Sequence, residues 1–295
     1  MSGSELGFCW AGSASDSPPT FKFPGVCLSM KKSIVSIVAS IVAIGFGFSN
    51  TVHAQKWADL TMTAVLDGEI PKPKEVKATA ADCMQFKIIS EDLVVDPATK
   101  GIANLVFMID SKKTKLEEGQ LHPDVQKLPT EKPGMDNKNC AFVPHVMAMR
   151  AGQILSVTNS DPFGHNAKFN FFKNEEVNPM IPAGGKKDIV TKVDEPGAVK
   201  VECSIHPFMT GYVIVAGHPY VGISDATGKI KIEKLPAGIP LDFKLWHESQ
   251  DKSIEELSIG GKKETWKKGS VVLTLKEGAN DLGVLLLKPE RFKSK

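Results

Sequence analysis

A cysteine, a histidine and a methionine lie three residues apart in the sequence CSIHPFM, as Cys203, His206 and Met209. Their thiolate, imidazole and thioether groups are all ligands for soft or borderline metal ions. His165, in the upstream sequence GHNAKF, offers a second imidazole. The four side chains can form one site only if the elements around them converge.

The residues beside these candidates alternate between apolar and polar, as in strands with one buried face. In AVKVEC, valines alternate with a lysine and a glutamate, which places Cys203 on the apolar face. In HNAKFNF, His165 has the same parity as the apolar alanine and phenylalanines. Two strands therefore each end with an inward-facing ligand, which predicts a metal site at one pole of a β-sandwich.

The ligand types favour copper over zinc. A thiolate and two imidazoles in a plane, with a long axial thioether, suit an ion that cycles between two oxidation states, because sulfur favours the reduced form and nitrogen the oxidised form. Structural zinc usually takes four tight Cys or His ligands, and a methionine would be a poor fourth. Taken singly, each residue is more often a packing residue, so the prediction depends on the combination. We expect one type 1 copper ion bound by His165, Cys203, His206 and Met209.

The rest of the chain indicates an all-β protein. Turn signals such as DGEIPKP, NSDPFGHN and DEPGA separate short strand-like runs, and no helical period exceeds two or three turns. This pattern predicts an antiparallel sandwich or barrel. An extended surface loop with a short helical turn is expected at 117–139. The expected strands are 60–66, 76–87, 103–109, 142–149, 154–159, 167–172, 188–193, 199–203 and 212–215.

Composition gives no reason to expect a nucleic-acid partner. The 295 residues carry a formal net charge of +2 and are 42% hydrophobic, which is ordinary for one or two globular domains. The lysines are scattered along the chain and form no basic run. The sequence leaves the oligomeric state open.

Residues 30–54 read as a secretory signal peptide. They contain two lysines, an apolar run at 34–48 and the small-residue site VHA before Gln55. The apolar run is shorter than the roughly 20 residues that span a bilayer, so the mature chain is expected to have no integral membrane segment. Residues 1–29 precede the positive region as a mis-assigned leader, and we expect translation to start at Met30. The expected location is the periplasm or the extracellular space.

Export to an oxidising compartment restricts the states in which the cysteines can exist. Cys9 and Cys27 fall in the leader, which leaves Cys83, Cys140 and Cys203 in an oxidising compartment where free thiols are uncommon. By elimination, Cys83 pairs with Cys140 and Cys203 remains for the metal. A disulfide that included Cys203 would exclude the metal prediction.

With these ligands and this strand pattern, the sequence resembles the cupredoxins, or small blue copper proteins. CSIHPFM is similar to the amicyanin type of copper loop in its C-x2-H-x2-M spacing and its Pro-Phe before methionine, and the HN of GHNAKF also matches the family. The resemblance covers about residues 57–216 and implies a Greek-key β-sandwich. It also implies that Asn166 ties the two ligand loops together through Ser204, while backbone N–H groups support the thiolate.

Two domains are expected, a cupredoxin-like copper domain at 55–216 and a smaller β-sandwich-like module at 217–295. The second segment, with its DATG turn and the strand-like runs GSVVLTL and DLGVLLLKP, resembles the carboxypeptidase-regulatory-like module. Such modules are mostly structural, so we expect a support or docking element, with binding of a partner or sugar as the alternative.

Three other histidines lie beside expected strand ends. His145, His218 and His247 could converge on a second metal ion, but nothing in their spacing requires it. A structural role is the favoured interpretation for all three.

The function expected from these residues is single-electron transfer between periplasmic or surface redox partner proteins, without enzymatic activity. His206, on the loop, is expected to present its ring edge to partners. The alternatives are a copper-binding or copper-handling protein without redox turnover, or an accessory subunit of an oxidoreductase. A copper enzyme would need further histidine clusters or an open coordination position. The sequence contains no His-Cys-His stretch that could relay electrons between two copper sites.

Overall fold

The computed structural model of the protein describes residues 55–78, 80–250 and 253–293. In these residues β-strands are joined by turns, and the one α-helix is the four-residue α1, Pro123–Gln126. The predicted all-β sandwich class is confirmed. No helix in the described ranges is long and apolar enough to cross a membrane. The predicted leader at 1–29 and signal peptide at 30–54 lie outside the described residues.

The strands, in chain order, are β1 Trp57–Leu66, β2 Glu75–Val76, β3 Ile88–Ile89, β4 Val106–Ile109, β5 Gly134–Lys138, β6 Ala141–Val143, β7 Val146–Arg150, β8 Ile154–Asn159, β9 His165–Asn166, β10 Lys168–Phe169, β11 Met180–Ile181, β12 Lys186–Val190, β13 Val199–Glu202, β14 Thr210–Ala216, β15 Val221–Ile223, β16 Lys229–Pro236, β17 Pro240–Trp246, β18 Glu256–Ile259, β19 Lys262–Thr265, β20 Ser270–Thr274 and β21 Gly278–Leu287. Short 3-10 turns are present at Ala81–Cys83, Glu118–Gln120, Lys267–Gly269 and Pro289–Arg291.

Four sheets form two sandwiches. The first sheet has the order β16-β1-β21-β18-β19 and the second β15-β4-β17-β20. Their side chains, including Leu60, Phe107 and Phe243, share one core, and we call this pair sandwich A. The third sheet, β10-β13-β14-β7, and the fourth, β12-β8-β5-β6, enclose a second core that includes Val157 and Phe169. We call this pair sandwich B.

A third, smaller core joins the two sandwiches. Val106 and Met108 of β4, in the second sheet, pack with Val146, Tyr212 and Ile214 of the third sheet. All four residues of β4 and the last six of β14 are buried. Strands that are covered on both faces have near-continuous apolar sequences, which explains VFMI and the run GYVIVA.

The strand pairing crosses the boundary that the sequence predicts at residue 216. β1 pairs with β16 and β21, and β4 pairs with β15 and β17, so sandwich A takes strands from both sides of this boundary. The alternation of buried and exposed residues in β1 reveals its buried face but does not identify its partner strands. Sequence patterns alone therefore cannot assign β1 to the sandwich that it completes.

The expected strand at 76–87 is wrong. Only the residue pairs of β2 and β3, at its two ends, form a strand ladder, and the 3-10 turn Ala81–Cys83 lies between them. Cys83 forms the predicted disulfide with Cys140, which fixes this turn against the β5–β6 hairpin. The expected loop at 117–139 contains two short helical turns, but its end is β5, a strand of the fourth sheet.

We predict that a chain ending at Ala216 does not fold. It would lack every strand that pairs with β1 and β4, and it would expose the apolar residues that these strands bury in the core of sandwich A. The expected result is aggregation, or loss of the near-ultraviolet circular dichroism that the full chain gives under the same conditions. A monomeric product with native-like dichroism would instead establish residue 216 as a domain boundary.

Candidate metal centre

The predicted ligands lie at one end of sandwich B. His165 begins β9, Cys203 directly follows β13, and Met209 directly precedes β14. Pairing of β10 with β13 places the chain after His165 beside the chain before Cys203. Within the loop, the Cys203 N–H donates to the Met209 carbonyl at 3.2 Å, and the Met209 N–H donates to the His206 carbonyl at 2.8 Å. The four side chains are buried, with exposures of 0–2%.

Three of the four predicted ligands converge on one point. The Cys203 Sγ lies 3.9 Å from the His165 Nδ1 and 3.6 Å from the His206 Nδ1, and the two Nδ1 atoms are 3.0 Å apart. A circle through these three atoms has a radius of about 2 Å, close to metal bond lengths of roughly 2.0–2.1 Å to nitrogen and 2.3 Å to sulfur. An ion near the centre of this circle would have three ligands close to one plane. The residues therefore fit a trigonal metal site.

The surroundings of Cys203 favour its thiolate, the form that binds metals. Burial by itself raises the pKa of this thiol. The hydrogen bond with His165 and further hydrogen bonds from backbone N–H groups outweigh burial, so the pKa lies below its usual value. The backbone donors belong to Asn166, His206 and Ile205.

The two histidines differ electrostatically. Burial lowers the pKa of His165, but hydrogen bonds and charges from Cys203 and Asp161 outweigh burial and raise it overall. Burial and the charge of His165 lower the pKa of His206. The lowered pKa favours the neutral imidazole of His206, which is the form that binds a metal.

Asn166 connects the two ligand loops. Its Oδ1 accepts from the backbone N–H groups of Ser204 at 2.8 Å and Ile205 at 3.3 Å, and its Nδ2 lies 3.1 Å from the Ser204 Oγ. This is the contact that the resemblance to cupredoxins implies. Because Asn166 follows His165 and Ser204 follows Cys203, one amide side chain sets the separation of two ligands.

Asp161 is a functional residue that the sequence interpretation missed. Its Oδ2 lies 2.8 Å from the His165 Nε2, and only 3% of Asp161 is exposed. A carboxylate can only accept this hydrogen bond, so Nε2 carries the proton and the lone pair of Nδ1 faces the metal position. The available signal was an aspartate four residues before His165 in the turn NSDPFGHN.

Aromatic rings cover the site. The Phe163 ring lies 5.2 Å from the His165 ring and 6.0 Å from the His206 ring, and Phe208 lies 6.1 Å from His206. Phe86, from the turn that the disulfide anchors, packs on Phe163 at 6.5 Å. His206 is only 1% exposed, so the expectation that it presents its ring edge is wrong.

The structure gives the other three histidines separate surroundings. His145 pairs with the carboxylate of Glu248. His218 binds the Ile109 carbonyl at 3.0 Å, and burial lowers its pKa to about 4. His247 accepts from the Ser249 N–H at 3.2 Å. Among the described residues these three histidines form no common cluster of ligand atoms at metal-binding spacing.

Among known proteins, similarity to this chain was found only with solved structures. No family model matches the chain, and no curated protein matches it. A copper-containing nitrite reductase from Thermus scotoductus SA-01 aligns at 19% identity over 37% of this chain and 26% of its own length, with a TM-score of 0.27. An oxidised amicyanin variant aligns at 18% identity over 30% of this chain and 86% of its own, with a TM-score of 0.27. A purple cupredoxin from Nitrosopumilus maritimus aligns at 22% identity over 29% of this chain and 100% of its own, with a TM-score of 0.25.

We predict that Asp161→Asn weakens Cu(I) binding by about 10- to 100-fold, the range found when a carboxylate that orients a ligating histidine is removed. The amide keeps the shape of the side chain but loses the charge that holds the Nε2 proton. The measurement is competition with a chromophoric Cu(I) chelator.

Asp136→Asn is the matched control for Asp161→Asn. Asp136 supports the same turn, because its carboxylate accepts hydrogen bonds from Thr158 and Ser160 and none from His165. Its Cu(I) affinity should stay at the level of the parent chain. If the two variants bind Cu(I) with equal affinity, Asp161 does not orient His165 as proposed.

Proposed function

We propose that the protein is an exported type 1 copper protein that transfers single electrons between redox partner proteins. One observation carries the proposal: three buried donor atoms from His165, Cys203 and His206 lie on a circle of about 2 Å radius, close to metal–ligand bond lengths. One thiolate and two imidazoles are the equatorial set that suits copper in both oxidation states. Met209, which directly follows this loop, is the proposed weak axial ligand.

The residues around the site hold the ligands in place and limit the access of water. Copper, when bound, supplies the one-electron couple. Asp161 holds the ring of His165, Asn166 holds the loop that carries Cys203, and Phe163 limits the access of water. A donor set that is fixed by the fold requires little rearrangement when the charge of the ion changes. This rigidity favours electron transfer, and we propose no catalytic reaction.

One observation favours a second candidate function. His206 is buried, so neither of the two histidine ligands offers a ring edge to a partner. A copper-binding or copper-handling protein would benefit from such a covered site and would need no redox turnover. The role of accessory subunit in an oxidoreductase remains compatible with either candidate.

Sandwich A is proposed to support the copper site. It packs on the third sheet through the core that contains Tyr212, three residues after Met209. The resemblance of 217–295 to a carboxypeptidase-regulatory-like module remains a prediction. Partner proteins and location in the periplasm or outside the cell are likewise proposals.

We predict that the copper-loaded protein shows an intense thiolate charge-transfer band in the visible range. Cys203 is the only free cysteine in the described part of the chain, so Cys203→Ser should abolish the band while circular dichroism stays unchanged. Absorption and electron paramagnetic resonance spectra of both proteins provide the measurement. A band of equal intensity in the Cys203→Ser protein would refute the ligand assignment.

Met209→Leu should separate an electron carrier from a static copper holder. Copper should stay bound by the three equatorial ligands while the reduction potential rises, because loss of the thioether destabilises the oxidised ion more than the reduced ion. His206→Ala should instead lose most of the copper. Redox titration and copper analysis measure the two effects. Complete copper loss from Met209→Leu, or an unchanged potential, would favour the binding-protein candidate.

A further inference from the structure

His145 lies outside the copper site with one ring nitrogen unoccupied by a hydrogen bond. It follows β6, is 6% exposed, and its Nε2 contacts the buried carboxylate of Glu248, which follows β17. Its Nδ1 has no hydrogen-bond partner among the described residues. The Glu91 Oε2 lies 3.5 Å from this Nδ1.

The His145 ring forms part of a cavity wall, although its Nδ1 atom is itself buried. A cavity of about 480 Å³ is lined by His145, Glu91, Asp92, Thr210 and Tyr212, among others. The side chain of Glu91 is 39% exposed, whereas that of Glu248 is 1% exposed. Glu248 therefore holds the ring from the protein interior, and Glu91 approaches it from the solvent side.

This arrangement repeats the one at His165. There, Asp161 binds Nε2 and leaves Nδ1 for the metal; here, Glu248 binds Nε2 and leaves Nδ1 beside the Glu91 carboxylate. A histidine that binds a metal almost always donates its other ring N–H to a carboxylate or carbonyl group, which fixes the ring and makes it a better ligand. The Glu248–His145 pair has this form.

The distance to Glu91 fits a shared ion. With bonds of about 2.0–2.1 Å to nitrogen and oxygen, two ligand atoms 3.5 Å apart subtend an angle of about 115° at a metal, between tetrahedral and trigonal values. The charges agree with a cation: burial by itself lowers the pKa of His145, but Glu248, Glu91 and Asp92 outweigh burial and raise it overall. Lys74, Lys77 and Lys200 also line the cavity, and Lys200 is paired with Glu202 at 2.6 Å.

We propose that His145 Nδ1 and the Glu91 carboxylate bind a second divalent transition-metal ion, with Glu248 as the positioning residue and water in the remaining coordination positions. Imidazole with carboxylate suits borderline ions such as Zn²⁺. With two protein ligands the site is open to the cavity and weaker than the three-ligand centre. It is independent of the proposed copper function, because it shares no ligand with it.

The test is calorimetric titration of Zn²⁺ into protein preloaded with Cu(I), which occupies the thiolate site. We expect one Zn²⁺ per chain, with at least tenfold weaker binding in Glu91→Gln and no measurable binding in His145→Gln. Glu75→Gln is the matched control, since Glu75 is an exposed carboxylate of the same cavity, whereas His145 pairs with Glu91 and Glu248. Its affinity should equal that of the parent chain.

Two results would overturn the second site. One is the absence of Zn²⁺ binding by the Cu(I)-loaded chain, and the other is equal affinity in the Glu91→Gln and Glu75→Gln proteins. Because Glu91 is partly exposed, its substitution decides the question even if His145→Gln fails to fold. Should the chain not retain Cu(I), the copper proposal fails, and the Glu91→Gln and Glu75→Gln comparison in the copper-free protein still decides this site.

Discussion

The buried carboxylate of Asp161 is the interaction on which the candidate metal centre depends. It accepts backbone hydrogen bonds from Asn139 at 2.6 Å and Cys140 at 2.9 Å, and it binds the His165 ring. Asn139 and Cys140 form the tight turn between β5 and β6 with φ values of 53° and 57°, a left-handed conformation that is costly for a cysteine. Hydrogen bonds to a carboxylate are stronger than those between neutral groups, so Asp161 offsets this cost.

The same turn carries the disulfide, which connects Asp161 to the cover of the site. Cys140 is bonded to Cys83, and the chain after Cys83 places Phe86 on Phe163. A cross-link between residues 57 apart in sequence restricts the unfolded chain, and such bonds typically contribute about 2–4 kcal/mol. The Asp161 carboxylate thus supports His165 directly. Through the turn that carries the disulfide, it also supports the aromatic rings that cover the site.

The sequence was sufficient where a signal is local and insufficient where it depends on a distant partner. Cys203, His206 and Met209 lie in one loop, so their spacing alone indicates a site, and the parity of His165 adds the remaining ligand. By contrast, β1 alternates like any half-buried strand, and nothing in it specifies pairing with β16 and β21, over 160 residues later. The pairing of His145 with Glu248 was hidden for the same reason, because it joins loops 103 residues apart.

The burial of His206 also depends on a residue outside its own loop, Phe163, and it bears most directly on function. A loop histidine is expected to be exposed, but here the ring centroids of Phe163 and Phe208 lie 6.0 Å and 6.1 Å from that of His206. This cover prevents direct contact between the imidazole and a partner, while it keeps the site dry and its ligands fixed. A partner that exchanges electrons would therefore have to dock on the covering residues. Ile205, 46% exposed, and the exposed Pro207 flank His206 in the chain, and Phe208 is half-buried, so electron exchange through this face of the loop would pass across these side chains.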